Sequence, residues 1–132
     1  MDKEKGPGKM KLRFQVAQVH KPLLSVRRVT EAGNLVSFGP GAKDNFIQNK
    51  NTGEKIALRP NDQGSFLLDV VVPGSGPAEV TVDSGAEESV CPVHFASQFG
   101  LDQSGPKLAF RGADGKSIPH MGTREVLVDR PF

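Results

Sequence analysis

One short stretch of the sequence holds residues that could do chemistry: Asp83-Ser84-Gly85, directly after the apolar run AEVTV. A strand before the aspartate would fix its backbone, and the glycine allows the chain to fold back tightly. The Ser84 hydroxyl can bond to a neighbouring backbone group, and Ala86 leaves room beside the carboxylate. Two carboxylates held close together share one proton, which lets one act as a base toward water while the other polarises a carbonyl group. Residues 83–86 are therefore a candidate active-site turn, with Asp83 as the catalytic residue.

The same three residues also suit a simple Asx turn after a β-strand, in which the aspartate bonds to its own backbone. The wider context, VTVDSGAEESV, favours a site. Apolar residues alternate before Asp83, a small residue follows Gly85, and Val90 lies seven residues after the aspartate. Both interpretations place Asp83 at the end of a strand.

Other groups of reactive residues predict structure rather than chemistry. Cys91 is the only cysteine, so the chain has no internal disulfide and no cysteine zinc cluster. Cys91 and His94 have no further metal ligands near them in sequence, and a structural role is expected. Residues 112–117 are too closely spaced for a phosphate-binding loop. His20 and His120 stand alone and are expected at the surface. We predict no metal and no cofactor.

Charged residues surround the candidate turn in the sequence. Glu87 and Glu88 follow it, and we expect one of them to face solvent or to pair with a base such as Arg111. Arg27 and Arg28 lie in a segment with helical spacing. They are expected on a solvated face, with pairing to a carboxylate near the turn as the alternative.

Length and composition predict one small β-rich domain. The 132 residues include 15 glycines and 10 prolines, which indicates many turns between short strands. The net charge is only +2 and the basic residues are scattered, so nucleic acid is not an expected partner. The head, residues 1–10, is read as flexible and has no apolar core for a signal peptide. No apolar run approaches about 18 residues, so no membrane span is expected. An intracellular, cytoplasmic location is predicted.

Periodicity places the elements. A half-buried strand is expected over 11–19, a helix of two to three turns within 23–33, and a strand over 34–39. Two strands around residues 51–53 form a predicted hairpin, and 65–72 is a nearly continuous apolar strand. Further strands are predicted at 78–83, on both sides of 113–115, and at 123–129. Residues 73–77, PGSGP, are read as a linker.

These motifs together resemble the retropepsins, the aspartic proteases of retroviruses and retrotransposons. VTVDSGAEESV is similar to their active-site segment. Residues 12–38 resemble their strand, helix and closing strand, with KPLLS at the position of an apolar-apolar-glycine signature and Ser25 in place of its glycine. Residues 108–129 resemble their flap, a hairpin that covers the substrate, and the strand after it.

The order of the segments differs from that family, in which the active-site segment comes first. The resemblance therefore implies a circular permutation, with 11–72 as the rear half plus an extra hairpin, 73–77 as the join, and 78–132 as the active-site and flap half. A tandem fragment, the back of one copy followed by the front of the next, is the alternative. A permuted chain folds well when its old ends are close and the cut is exposed.

The resemblance implies a mainly β fold, a small closed β-barrel with one or two short helices, and an aspartic endopeptidase that works as a C2 homodimer. Each chain would supply one Asp83, and an extended peptide or polyprotein would bind as an added strand. The apolar run 66–72 is the expected dimer contact. The flap and substrate-binding residues would be Phe110, Arg111, Gly112, Ala113, Asp114 and Gly115. The alternatives are a catalytically silent dimerisation or peptide-binding module of the same fold, or an unrelated β-rich interaction domain.

Overall fold

The structure, a computed structural model, describes residues 9–112 and 114–130. Short strands dominate these residues, as the sequence predicts. The strands are β1 (Lys9–Ala17), β2 (Leu23–Ser25), β3 (Asn34–Ser37), β4 (Phe46–Asn49), β5 (Lys55–Ala57), β6 (Arg59–Pro60), β7 (Phe66–Val72), β8 (Gly76–Asp83), β9 (Val90–Cys91), β10 (Phe110–Arg111), β11 (Ser117–Ile118) and β12 (His120–Asp129); a helix, α1 (Val26–Glu31), follows β2 directly.

Seven strands form the main sheet, in the order β12-β1-β9-β2-β8-β7-β6. Asp129 at the end of β12 also pairs with Val71 of β7, so the sheet closes into a ring. Most neighbours are antiparallel, but β2 runs parallel to β8 and β9 runs parallel to β1. The mainly β prediction is confirmed. The other strands of the described residues form two smaller sheets, β10-β11 and β3-β4-β5.

The core lies inside the ring and is built from alternating side chains. Leu12, Phe14 and Val16 of β1 are buried, and Val126 and Val128 of β12 lie among the same buried cluster. Burial of each such side chain contributes about 1.5–3 kcal/mol. The predicted alternation is therefore present, although β1 spans Lys9–Ala17 rather than 11–19, and its pairing with β12 becomes irregular after Val16.

Lys9 and Met10, assigned from sequence to a flexible head, belong to β1. Lys9 is paired in register with Asp129 of β12, and its Nζ lies 3.2 Å from the Asp129 carboxylate. Met10 packs against the core cluster. The remainder of the predicted head lies outside the described residues.

The helix is shorter than predicted, since the expected range of 23–33 includes a strand. Residues Leu23–Ser25 pair with β8 and β9, and the helix begins only at Val26. Ser25 caps its first turn by accepting a hydrogen bond from the Arg28 backbone at 3.2 Å. Within the described ranges, no helix is both long and apolar enough to cross a membrane.

Residues 73–75 form the turn of a tight hairpin, and Gly76 and Pro77 already belong to β8, so 73–77 is not the linker expected from its composition. β7 and β8 pair continuously from Phe66↔Val82 to Val72↔Gly76, and the Ser75 backbone donates to the Val72 carbonyl at 2.9 Å. Gly74 and Gly76 both have positive φ, which only glycine adopts without strain. Pro, Gly and Ser are common in flexible linkers and in tight turns alike, and composition alone does not separate the two.

The predicted extra hairpin is present, and β3 joins it to form the three-stranded sheet. The apolar run of β7 is packed within its own chain. Leu68, Val70 and Val72 are fully buried, and β7 pairs with β8 along one edge and with β6 and β12 on the other. This strand is therefore part of the core of its own chain, which leaves little of it for the dimer contact expected from its sequence.

Candidate active site

Asp83 is the last residue of β8 and is held by the parallel neighbour β2. In register, Val82 lies opposite Leu24 and Asp83 lies opposite Ser25. Leu24 and Val82 are buried, whereas the Asp83 side chain is half-buried at the end of the strand. The strand pair thus fixes the position of the carboxylate at the surface of the ring, as the sequence predicts for a strand-to-turn aspartate.

The turn after Asp83 is tight and closes on the carboxylate itself. The Gly85 backbone donates to Asp83 Oδ1 at 2.8 Å, which is the hydrogen bond of an Asx turn. One carboxylate oxygen is engaged in this way and the other is left to bind a further group. Ser84 and Gly85 are exposed and Ala86 is half-buried. Within residues 9–112 and 114–130, the Ser84 hydroxyl has no hydrogen-bond partner, so no bond from it braces the turn in this part of the chain.

Ser25 supplies the brace that was expected of Ser84. It is fully buried, and its hydroxyl donates to the Ala86 carbonyl at 2.7 Å while also capping α1. Its backbone N–H donates to the Ser89 hydroxyl at 2.9 Å. Three bonds therefore tie β2, the helix start and the candidate turn together. Sequence reasoning noted Ser25 as an unusual residue and did not single out Ser89.

An arginine on the helix adds a second clamp on the turn. Arg28 donates to the Glu87 carbonyl at 3.1 Å and to the Glu88 carboxylate at 2.5 Å, and it also contacts Glu31. The hydrogen bonds that Arg28 donates to Glu88 and Glu31 raise the pKa of Arg28 above its ordinary value. Arg28 is exposed, as expected for a solvated face, and it also makes the alternative contact, a pairing with a carboxylate near the turn. The Glu88 partner is Arg28 rather than Arg111.

The predicted flap is a hairpin of β10 and β11, separate from the main sheet. The Gly112 backbone donates to the Lys116 carbonyl at 2.9 Å, and Gly115, at φ 82°, donates back to Gly112 at 3.0 Å. The Asp114 carboxylate accepts from the Lys116 backbone. Arg111 donates to the Gly115 carbonyl, which holds the tip closed on itself.

Of the remaining predicted flap residues, Phe110 packs edge-on against the His120 ring with 5.4 Å between centroids. Ala113 lies outside the described residues. His120, expected to be an isolated surface residue, is half-buried and hydrogen-bonded on both ring nitrogens. Its position at the first residue of β12 gave no sequence signal of this role.

Arg124 is a further residue that sequence reasoning missed. It is 4% exposed, and its guanidinium donates to the carbonyls of Gly100, Val93 and Phe95. It therefore holds the irregular segment that follows β9. An arginine in the middle of an alternating strand is the only sequence signal, because alternation places it on the buried face.

The Cys91 and His94 side chains do not meet in a reactive pair. Cys91 is buried, and burial raises the pKa of its thiol to about 11, against a smaller lowering effect of Arg124. His94 is exposed. Among the described residues, no group of three or more His, Cys, Asp or Glu side chains is arranged to hold a metal ion.

A groove of about 660 Å³ lies beside the turn, between β1, α1 and the Glu88–Ser89 stretch. Leu24, Val29 and Ile47 are among the residues that line it, whereas Asp83 is not. The groove is therefore separate from the candidate catalytic carboxylate, which stands at an open strand end. Comparison with family models, curated proteins and solved structures finds no match to this chain.

Proposed function

We propose that this chain is one subunit of a homodimeric aspartic endopeptidase with a circularly permuted retropepsin-like fold. The observation that carries the proposal is the pairing of Ser25 with Asp83 in parallel register, with the Ser25 hydroxyl bonded to the candidate turn. A simple Asx turn needs only its own glycine. Here the buried Ser25 of β2 and Ser89, together with the exposed Arg28 of α1, hold the turn, as expected for a carboxylate whose position matters.

The chemistry requires a second carboxylate, and the sequence has only one Asp-Ser-Gly. A two-fold axis beside Asp83 would supply it from a second copy. The two carboxylates would share one proton; one would take a proton from water while the other polarises the peptide carbonyl. Ser84 is exposed and unpartnered in the described chain, so its hydroxyl is free to bond to the backbone of the other copy.

The outer ends of β1 and β12 lie side by side, as the proposed permutation requires. Lys9 and Asp129 pair in register at the open ends of β1 and β12, so a short surface loop would suffice to connect them. Adjacent ends are what a cut loop leaves behind. Residues 73–77 were expected to be the join. Because β7 and β8 form one hairpin that leads into Asp83, we propose instead that the join lies within residues 38–65, which contain β4, β5 and β6.

Substrate would lie between the Asp83 turn and the β10-β11 hairpin as an added strand. Hydrogen bonds from the substrate main chain would give affinity, and its alternate side chains would determine which peptide sequences are preferred. Ser25 and the relocated chain ends are the two reasons to consider a silent module of the same fold. Since the Ser25 hydroxyl is bonded within the site, Ser25 serves as a support and gives no reason to expect loss of activity.

The test combines mass and activity. Sedimentation should give a species of twice the 14.2 kDa chain mass, and a peptide library should be cleaved by the parent chain at acid to neutral pH. Asp83→Asn should abolish cleavage while keeping the dimer. The matched control Asp62→Asn, in an exposed turn, should leave cleavage unchanged. A monomer that cleaves peptides with full Asp83 dependence would refute the shared site, and cleavage unchanged in Asp83→Asn would refute the enzyme.

A further inference from the structure

The base of the β10-β11 hairpin is closed in an unusual way. The strands pair at Phe110↔Ile118 and Arg111↔Ser117. Continuing that register outward places Leu108 opposite His120. Pro119 has no N–H and cannot extend the ladder from its own side. The Leu108 N–H instead donates to Nδ1 of the His120 ring at 3.0 Å, so a side chain supplies the next rung.

This bond fixes the protonation of the ring. A nitrogen that accepts from a backbone N–H carries no proton, so Nδ1 is bare and the proton of the neutral ring is on Nε2. Nε2 lies 2.9 Å from Gln15 Oε1 and donates to it. The same Gln15 oxygen accepts from the Thr123 hydroxyl at 3.1 Å. In the neutral ring, one nitrogen thus accepts a hydrogen bond from the Leu108 N–H and the other donates one to Gln15.

We propose that His120 is a positioning residue that latches the base of this hairpin when neutral and releases it when protonated. Protonation transfers a proton from solvent to Nδ1, and no other covalent bond changes. The imidazolium then has donors on both nitrogens, and Nδ1–H faces the Leu108 N–H. Two donors cannot bond to each other, so the Leu108 rung is lost. The functional meaning, a flap that opens on acidification, rests on the proposed protease.

The groups in contact with the ring are uncharged: the Gln15 amide, the Leu108 N–H and the Phe110 ring. The ionisable residues next in sequence on the packed segments are Arg13 on β1, Glu125 on β12, Asp102 in the segment bridged to Thr123, Lys107 and Arg111 beside the hairpin, and Lys116 on its far leg. None of these is hydrogen-bonded to or ion-paired with the ring in the described residues. A change of charge at His120 therefore acts on the Leu108 bond directly.

The test is amide hydrogen exchange and ring ¹⁵N NMR on the full chain from about pH 5 to 8, where an unperturbed histidine changes charge. At the upper end, the ring should show the Nε2–H tautomer. As the ring titrates, protection of Leu108 relative to its intrinsic exchange rate should fall about fivefold or more, the loss expected for one hydrogen bond. A bare Nε2 at neutral pH would overturn the proposal, as would a titrating ring with unchanged Leu108 protection.

Two variants complete the test. In His120→Gln the amide does not titrate in this range, so Leu108 protection should be independent of pH, and a remaining acid-dependent loss would overturn the proposal. The matched control His20→Gln removes an exposed histidine and should behave as the parent. Exchange is measured without substrate and repeated in Asp83→Asn. Peptide cleavage then tests the proposed protease, and Leu108 exchange tests the His120 latch. Either hypothesis can therefore fail while the other stands.

Discussion

Replacing Ser25 with alanine tests the claim that the candidate turn is held from behind. The substitution removes one oxygen from a site that is 0% exposed. That oxygen caps α1 through the Arg28 N–H and donates to the Ala86 carbonyl. Loss of an N-cap costs about 1 kcal/mol. Leaving the part-buried Ala86 carbonyl unpaired costs about 1–2 kcal/mol more.

Ser25→Ala should therefore lower the free energy of unfolding by about 2–3 kcal/mol. For a chain of this length, that corresponds to a fall in Tm of about 7–10 °C. The assay is denaturant unfolding followed by circular dichroism, with every variant at one protein concentration, because a dimer gains apparent stability with concentration. Ser25→Gly should lose the Ala86 hydrogen bond to the same extent but less of the N-cap contribution, because glycine is a better N-cap residue than alanine.

Ser84→Ala is the matched control, since it removes a hydroxyl from the same turn at an exposed position without a partner in the described chain. It should change the free energy of unfolding by less than about 0.5 kcal/mol. A Ser25→Ala variant within about 0.5 kcal/mol of the parent would contradict the reasoning. So would equal losses in the two variants, because the oxygen of Ser25 would then have no special role.

The remaining predictions concern other parts of the ring. Arg124→Met should lower the free energy of unfolding by about 3 kcal/mol or more, since three carbonyls lose their donor. In the same assay, Arg13→Met, at an exposed position, should change the free energy of unfolding by less than about 0.5 kcal/mol. Gly122→Ala should cost more than about 2 kcal/mol, because a Cβ would lie 2.6 Å from the Asp102 carbonyl oxygen at a φ of 143°; a normal melting curve would contradict the strain. The Cys91 thiol should react at least about tenfold more slowly with a disulfide reagent in the native than in the unfolded chain. A native reaction rate equal to the unfolded rate would contradict the burial of the thiol. Because burial raises the pKa of Cys91 to about 11, the stability that the buried neutral thiol contributes is complete below the ordinary thiol pKa and is lost as pH rises toward 11.

The strands could be predicted because their alternation is strong. The alternation of Leu12, Phe14 and Val16 predicts which face of β1 is buried, and that prediction holds for any closed sheet, whatever the order of its strands. The helix start was misplaced because Leu23, Val26 and Val29 have helical spacing. Pairing of Leu23 and Leu24 with two strands decided the local structure, and tertiary pairing of this kind is invisible in a window of a few residues.

The position of Asp83 was also predictable, while its supports were not. A carboxylate after an apolar run has a local signature. The bonds from Ser25 and Arg28 join residues about 60 positions apart. Nothing in the sequence around Arg28 distinguishes it from Arg27, which faces Glu31 on the helix surface. Only the parallel pairing of β2 with β8 brings one of the two arginines to the turn.

The pairing of Lys9 with Asp129 also determines how the chain resists force. The two described ends leave the sheet side by side, so pulling them apart peels β1 from β12 one rung at a time instead of shearing all rungs together. Each step breaks only the next pair of backbone bonds, so the resistance is small at any moment. The strands that open first carry Phe14 and Val126, both fully buried. A translocating machine that grips one end while the other is held would therefore open the ring at this seam and reach the core early.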